Sequence, residues 1–147
     1  MSLLRKLLKK LAGSNIDRGF VQEKSFKNKE VGDRGEEIAC DFLTERGFRI
    51  LERNFSGAGG EVDIVAEKDG EVHFIEVKAR SHESHGSPLE AVTEGKQDRI
   101  RRAARLWLAT PRDNIKGKDI APCFFSVIGI DLAGEWPDIE FIEDAFV

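Results

Sequence analysis

Three side chains close together in the chain could carry chemistry: Asp63 in Glu61-Val62-Asp63, and Glu76 and Lys78 in Phe74-Ile75-Glu76-Val77-Lys78. Two carboxylates offer hard oxygen donors to a divalent cation. A neighbouring ammonium can position a water or stabilise charge developing on a phosphate. The chemistry this points to is phosphodiester hydrolysis. The same residues also fit a solvated strand face on which Lys78 pairs with Glu76 or Glu61. Phe74, Ile75 and Val77 nevertheless give the second stretch the composition of a central strand. Buried like charges repel there, and a cation between them relieves the cost.

Alternation along a strand puts Asp63 on a face with Glu61 and Val65, and Glu76 on a face with Phe74 and Lys78. With Glu67 opposite Gly70 across a two-residue turn, Ala66 opposes Glu71, Asp63 opposes Phe74 and Glu61 opposes Glu76. Asp63, Glu76 and Lys78 then project from one face. Diagonal neighbours in such a hairpin have side-chain roots roughly 7 Å apart, a gap that one divalent ion bridges. A one-residue change of register would break the arrangement.

The elements that must position these residues follow from periodicity. A helix is expected from Val31 to Arg46, with Ile38, Ala39, Phe42 and Leu43 as its apolar stripe and Gly47 at its end. Gly32 and Gly35 in its first turns imply close backbone packing or fraying. Glu36 flanks the core-facing stripe, so its carboxylate can lean toward the sheet. Phe48 to Arg53 reads as a strand and Asn54 to Gly60, with its glycines, as a flexible loop. Glu61 to Ala66 and Glu71 to Ala79 read as strands joined across Lys68, Asp69 and Gly70.

A polar loop from Ser81 to Ser87 carries His82 and His85, whose spacing is weak as a metal signal, and they stay outside the site. Pro88 to Leu108 reads as helical, split at Gly95, with Thr93 capping the longer part and Ile100, Ala103, Ala104 and Trp107 as its stripe. Trp107 on that stripe is a core residue rather than a base-stacking platform. Lys96 shares the stripe, at a helix start where the dipole does not favour a cation. Phe124 to Ile130 is expected as a strand, Asp131 to Pro137 as a turn region and Ile139 to Ile142 as a last strand. The order helix, three strands, helix, strands predicts an α/β fold, a mixed sheet with flanking helices.

The 147 residues suit one domain. With 23 basic and 27 acidic residues the formal charge is -4, which excludes a protein that grips nucleic acid through bulk positive charge but not one with a local basic face. Arg99, Arg101, Arg102 and Arg105 supply such a face, with only Asp98 against them. Cys40 and Cys123 have no metal-ligand or redox spacing, which fits a reducing cytoplasm. At the N-terminus, Leu3, Leu4, Leu7, Leu8 and Leu11 form one stripe opposite Arg5, Lys6, Lys9 and Lys10, an amphipathic helix with no uninterrupted apolar run. It is expected to dock on this domain or a partner, with peripheral membrane contact through residues 1–12 as the other use. Residues 14–30 read as a linker, leaving 31–147 as the folded domain.

Taken together, Gly32-x-x-Gly35-Glu36, Asn54, Gly60-Glu61-Val62-Asp63, Phe74-Ile75-Glu76-Val77-Lys78-x-Arg80, Gly86-x-Pro88 and Lys96 resemble the YraN-like family of small bacterial proteins. That family looks like a branch of the PD-(D/E)xK nuclease superfamily and is similar to archaeal Holliday junction resolvases. The resemblance, over about Val31 to Ile130, implies a restriction-endonuclease-like fold and a Mg²⁺-dependent endonuclease acting on structured or branched DNA. It implies Asp63 and Glu76 as metal ligands, the Val77 carbonyl as a third and Lys78 as the catalytic lysine. Glu36 would be an accessory acid that binds a second ion or orients water, and Lys96 and Gln97 would contact the scissile phosphate. Many relatives carry Arg-Phe-Asp where this chain has Phe124-Phe125-Ser126.

Mn²⁺ would satisfy the same oxygen donors. DNA is favoured over RNA as the nucleic-acid partner. A homodimer follows by analogy, since a branched junction offers two equivalent strands. The rival expectation is a non-catalytic nucleic-acid-binding or partner-docking module on the same scaffold.

Overall fold

In the computed structural model, which describes residues 23–81, 86–112 and 122–147, five strands form one sheet between two helices. The elements are α1 (Glu23–Glu45), β1 (Arg49–Gly57), β2 (Gly60–Lys68), β3 (Glu71–Arg80), α2 (Glu94–Ala109), β4 (Cys123–Asp131) and β5 (Asp138–Phe146). Strand order follows the chain, and every neighbouring pair is antiparallel except β3 and β4, which run parallel. A parallel pair needs a long crossover, and α2 lies within it. The expected mixed sheet with flanking helices is therefore the observed α/β architecture.

Each helix covers one face. Ile38, Ala39 and Leu43 of α1 pack with Phe48, Ile64, Ala66, Ile75, Ile128 and Ile130. On the other face Ile100, Ala103, Ala104 and Trp107 of α2 pack with Val65, Phe74 and Val127. With both faces covered, β3 is buried from Val72 to Glu76, which explains its nearly continuous apolar run. Trp107 is a core residue, as its stripe position predicts, and its indole N–H donates to Glu52 at 2.7 Å.

Several boundaries differ from those expected. Helix α1 begins at Glu23, so residues 23–30 are helical rather than linker; this stretch is rich in Lys and Glu, which are good helix formers. At its other end Phe48 N–H bonds the Leu43 carbonyl and Gly47 N–H that of Thr44, with Gly47 at φ +88°, a left-handed helix stop. The segment read as a flexible loop is mostly strand: β1 continues to Gly57, and Ala58 and Gly59, both at positive φ, form the hairpin turn. Its glycines serve close approach, since a Cβ at Gly60 would collide with the Arg99 carbonyl oxygen. Thr93 is the α2 N-cap, its hydroxyl accepting from Lys96 N–H at 3.3 Å. Residues 88–91 are turns rather than helix, and Gly95 lies inside an unbroken α2. The last strand extends to Phe146 past an irregularity between Phe125 and Val127.

The N-terminal amphipathic segment, His82 and His85 lie outside the described residues. Among those residues no helix is long and apolar enough to cross a membrane.

Candidate active site

The β2–β3 hairpin turns on Asp69 and Gly70, both at positive φ, so Lys68 opposes Glu71. The pairing is thus displaced by two residues from the expected one: Ala66 lies opposite His73, and Val65 opposite Phe74. Asp-Gly at the two central positions gives the turn the positive φ it needs, whereas the expected register put Lys68 at one of them. A two-residue displacement preserves the alternation of faces.

The ladder's last pair is Ile64 with Ile75, and one step further the same register brings Asp63 level with Glu76 rather than Phe74. Asp63 Oδ2 accepts the Val77 N–H at 2.8 Å, replacing the main-chain partner that β2 no longer offers. Val62 and Val65 both pack in the α2-side core, so strict alternation breaks across Asp63 and Ile64. The expected sharing of one face by Asp63 and Val65 therefore does not carry the site. The carboxylate reaches Glu76 because β2 leaves the ladder there. Within a strand a residue's N–H and C=O point to the same side, so the Val77 carbonyl also faces the Asp63 side of β3.

Glu76 is 3% exposed. Its carboxyl is pushed up to about 7, first by burial and next by the Asp63 charge, while Lys96 and then Lys78 pull it down. Glu76 Oε1 lies 3.4 Å from Lys96 Nζ and 3.6 Å from Lys78 Nζ. Glu76 Oε2 is buried without a hydrogen-bond partner. An orphaned carboxylate oxygen is costly in a core, and this one stands beside a second carboxylate.

Glu36 arrives from α1. A Cβ at Gly35 would lie 2.5 Å from Ala79 Cβ, so the glycine lets α1 settle close to β3, whereas nothing lies within 4 Å of such an atom at Gly32. Close packing thus explains Gly35 alone. The Glu36 carboxyl is raised first by burial and then by Asp63, against a hydrogen bond from Asn54 and the charge of Arg53, 4.0 Å away. Glu36 therefore flanks the Asp63–Glu76 pair.

These donors suit a hard divalent cation: carboxylate oxygens, one of them buried and unpartnered, with a backbone carbonyl at hand. Among the described residues no three His, Cys, Asp or Glu side chains converge as a finished coordination sphere. Asp63 and Glu76 would be the direct ligands, with Val77 C=O beside them and Glu36 at the margin. Two contributors were missed by the sequence reading. Glu61 receives Lys96 Nζ at 3.2 Å, and Arg53 bridges Glu36 to Glu37, with 2.9 Å to the latter. Strand alternation assigned Glu61 to the sheet but could not show which helix residue would reach it.

The candidate nucleic-acid residues divide by engagement. Lys96 sits in the site. Gln97 is committed to the fold, its amide donating to the Val92 carbonyl at 3.1 Å and accepting from Arg101 at 3.2 Å. Arg101 donates to the Val147 carbonyl at 2.7 Å, pairs with Glu94 and Asp98, and lies over the Phe146 ring. Arg99, Arg102 and Arg105 are exposed on the outer face of α2. Lys78 also borders a cleft of about 150 Å³ whose lining includes Arg80, Asp131, Asp138 and Glu140.

Phe124 and Ser126 lie on the opposite face of the sheet. Ser126 Oγ contacts His73 Nδ1 at 3.2 Å, and Phe124 stacks on the His73 ring. Ser126 pairs with Ile75, whereas Glu76 is level with Val127 of the α2-side core. The departure from Arg-Phe-Asp thus leaves the two lysine partners of Glu76 in place.

Comparison with known proteins agrees with the motif pattern. Residues 35–130 match the family described as "Uncharacterised protein family UPF0102". A UPF0102 protein of Geobacter metallireducens is 42% identical over 123 residues, covering 83% of this chain and 96% of its own. One from Trichlorobacter lovleyi is 44% identical over 123 residues, covering 81% and 91% respectively. Another, from Pelobacter propionicus, is 47% identical over 122 residues, covering 81% and 84%. The family match includes Glu36, the hairpin that brings Asp63 and Glu76, and the helix that brings Lys96, and the chain belongs to the UPF0102 family.

Proposed function

We propose that this protein is a divalent-metal-dependent endonuclease that hydrolyses phosphodiester bonds in structured or branched DNA, with Mg²⁺ as its ion and Mn²⁺ as a substitute. The observation that carries the reading is buried Glu76 beside half-buried Asp63, with one Glu76 oxygen unpartnered and two lysines at the other. A bound Mg²⁺ would supply Lewis-acid activation of the phosphate and a lower pKa for a coordinated water.

The protein's own groups take the remaining roles. Asp63 and Glu76 hold the cation, and the Val77 N–H fixes the Asp63 carboxylate so that one oxygen keeps its direction. Lys78, on the same strand as Glu76, orients the attacking water and neutralises charge gathering on the phosphate oxygens. Glu36, raised above an ordinary carboxyl by burial and by Asp63, orients water from the α1 side. Arg99, Arg102 and Arg105 hold the flanking phosphates on the exposed face of α2, which makes binding salt-dependent.

The test is a Mg²⁺ and Mn²⁺ titration by calorimetry of wild type, Asp63→Ala and Glu76→Ala, with labelled linear and branched DNA and RNA assayed in parallel. Binding and cleavage by wild type, lost in both variants, is the expected result. Folded protein that binds nucleic acid yet takes up no cation and cleaves nothing would instead identify a non-catalytic binding module.

A further inference from the structure

We propose that Lys96 is the resident counter-ion of Glu76 and that Glu61, which already shares it, is the positioning residue that keeps Lys96 when a divalent cation displaces it from Glu76, an inference that rests on the metal-dependent reading above. The Lys96 ammonium bridges two carboxylates, 3.4 Å from Glu76 Oε1 and 3.2 Å from Glu61 Oε1. The two differ sharply in setting, because the Glu76 side chain is 3% exposed and that of Glu61 57% exposed. One partner lies inside the site and the other at its mouth.

Nothing in the helix itself favours a cation at this place. Lys96 is the third residue of α2, near the positive end of the helix dipole. The two acids therefore hold it. Lys78 cannot play the same part, since among the described residues its only carboxylate partner is Glu76, at 3.6 Å. Lys96 alone has a second anchor to move to, and its flexible stem with three donors allows the move without displacing the helix.

The consequence concerns occupancy. Glu76 Oε1 is covered by two ammonium groups while Oε2 is bare, so a divalent ion that Glu76 and Asp63 would hold has two positive charges to compete with. Transfer of Lys96 wholly to Glu61 relieves that competition. It also brings the ammonium outward, toward the face of α2 that carries Arg99 and Arg102, where a phosphate would pass.

The experiment is calorimetric titration with Mg²⁺ alone of the full chain as wild type, Lys96→Gln, Glu61→Gln and the double variant, with melting curves confirming the fold. Lys96→Gln is expected to bind Mg²⁺ about tenfold more tightly, because a competing unit charge is gone. Glu61→Gln is expected to bind several-fold more weakly, and to have no effect once Lys96 is Gln. Equal or weaker binding by Lys96→Gln, or a Glu61→Gln loss that persists undiminished in the double variant, would overturn the proposal while leaving the metal-dependent reading standing. Absence of Mg²⁺ binding in both wild type and Lys96→Gln would overturn both. Because Glu61 is exposed, Glu61→Gln serves even if Lys96→Gln folds poorly, and unchanged binding by it would count against the proposal.

Discussion

The Val77 N–H donates to Asp63 Oδ2 at 2.8 Å just beyond the last main-chain pair of the β2–β3 ladder, so one carboxylate both closes the sheet and opens the site. The two duties separate by mutation. Asp63→Asn keeps an oxygen acceptor for Val77 and should melt close to wild type while losing divalent-cation binding. Asp63→Ala should lose the cation and also about 1–3 kcal/mol of stability, from an unsatisfied backbone donor. Calorimetry and urea denaturation on the pair distinguish the effects, and wild-type Mg²⁺ affinity in Asp63→Asn would remove this residue from the site.

Glu76 predicts a pH dependence of the metal-free protein. Its carboxyl titrates at about 7 in the fold against 4.5 ordinarily, so between those values the folded state holds more protons than the unfolded one. Stability therefore falls as pH rises through this window and levels off above about 7. The loss is on the order of 3 kcal/mol at most. In chelator, Glu76→Gln should be more stable than wild type at pH 8 and lose that advantage toward pH 5. Thermal melts at the two pH values check it, and an advantage independent of pH would contradict the burial argument.

On α2 the arginines should behave differently. Arg102→Ala and Arg105→Ala are expected to leave the melting temperature unchanged and to lower the salt dependence of DNA binding by about 0.9 in log-log slope for each phosphate no longer neutralised. Arg101→Ala should instead lower stability modestly, by up to about 1 kcal/mol, because it releases the Val147 carbonyl, Glu94 and Asp98 together, all of them exposed. Filter-binding salt titrations alongside denaturant melts separate a phosphate-binding role from a structural one.

Gly60→Ala tests the seam between the β1–β2 turn and α2. The added methyl would strike the Arg99 carbonyl oxygen, a backbone atom that cannot swing aside. A cost of about 1–3 kcal/mol is expected from the forced displacement of α2. Lys96 rides on that helix, so Mg²⁺ affinity should change as well, whereas Gly32→Ala, with nothing within 4 Å, should affect neither.

Much of the scaffold was legible because its signals are local. The α1 stripe, the Thr93 cap, the α2 stripe with buried Trp107 and the Asp-Gly turn each depend on residues within a few positions of one another. The same holds for Glu76 and Lys78 sharing a face, a parity that survived the two-residue error in register.

Only the tertiary structure decided how distant segments meet. The register depended on which two residues occupy the turn, and β1 ran on through Asn54 to Gly57 because its glycines meet α2 rather than loosen a loop. Glu36 comes to the Asp63–Glu76 pair because Gly35 lets two layers approach, and Lys96 finds both Glu76 and Glu61 because α2 crosses β2. Residue type and spacing determined which groups could do chemistry. Burial, which gives a charge its cost and its partners, is a property of packed layers and is absent from any single stretch of chain.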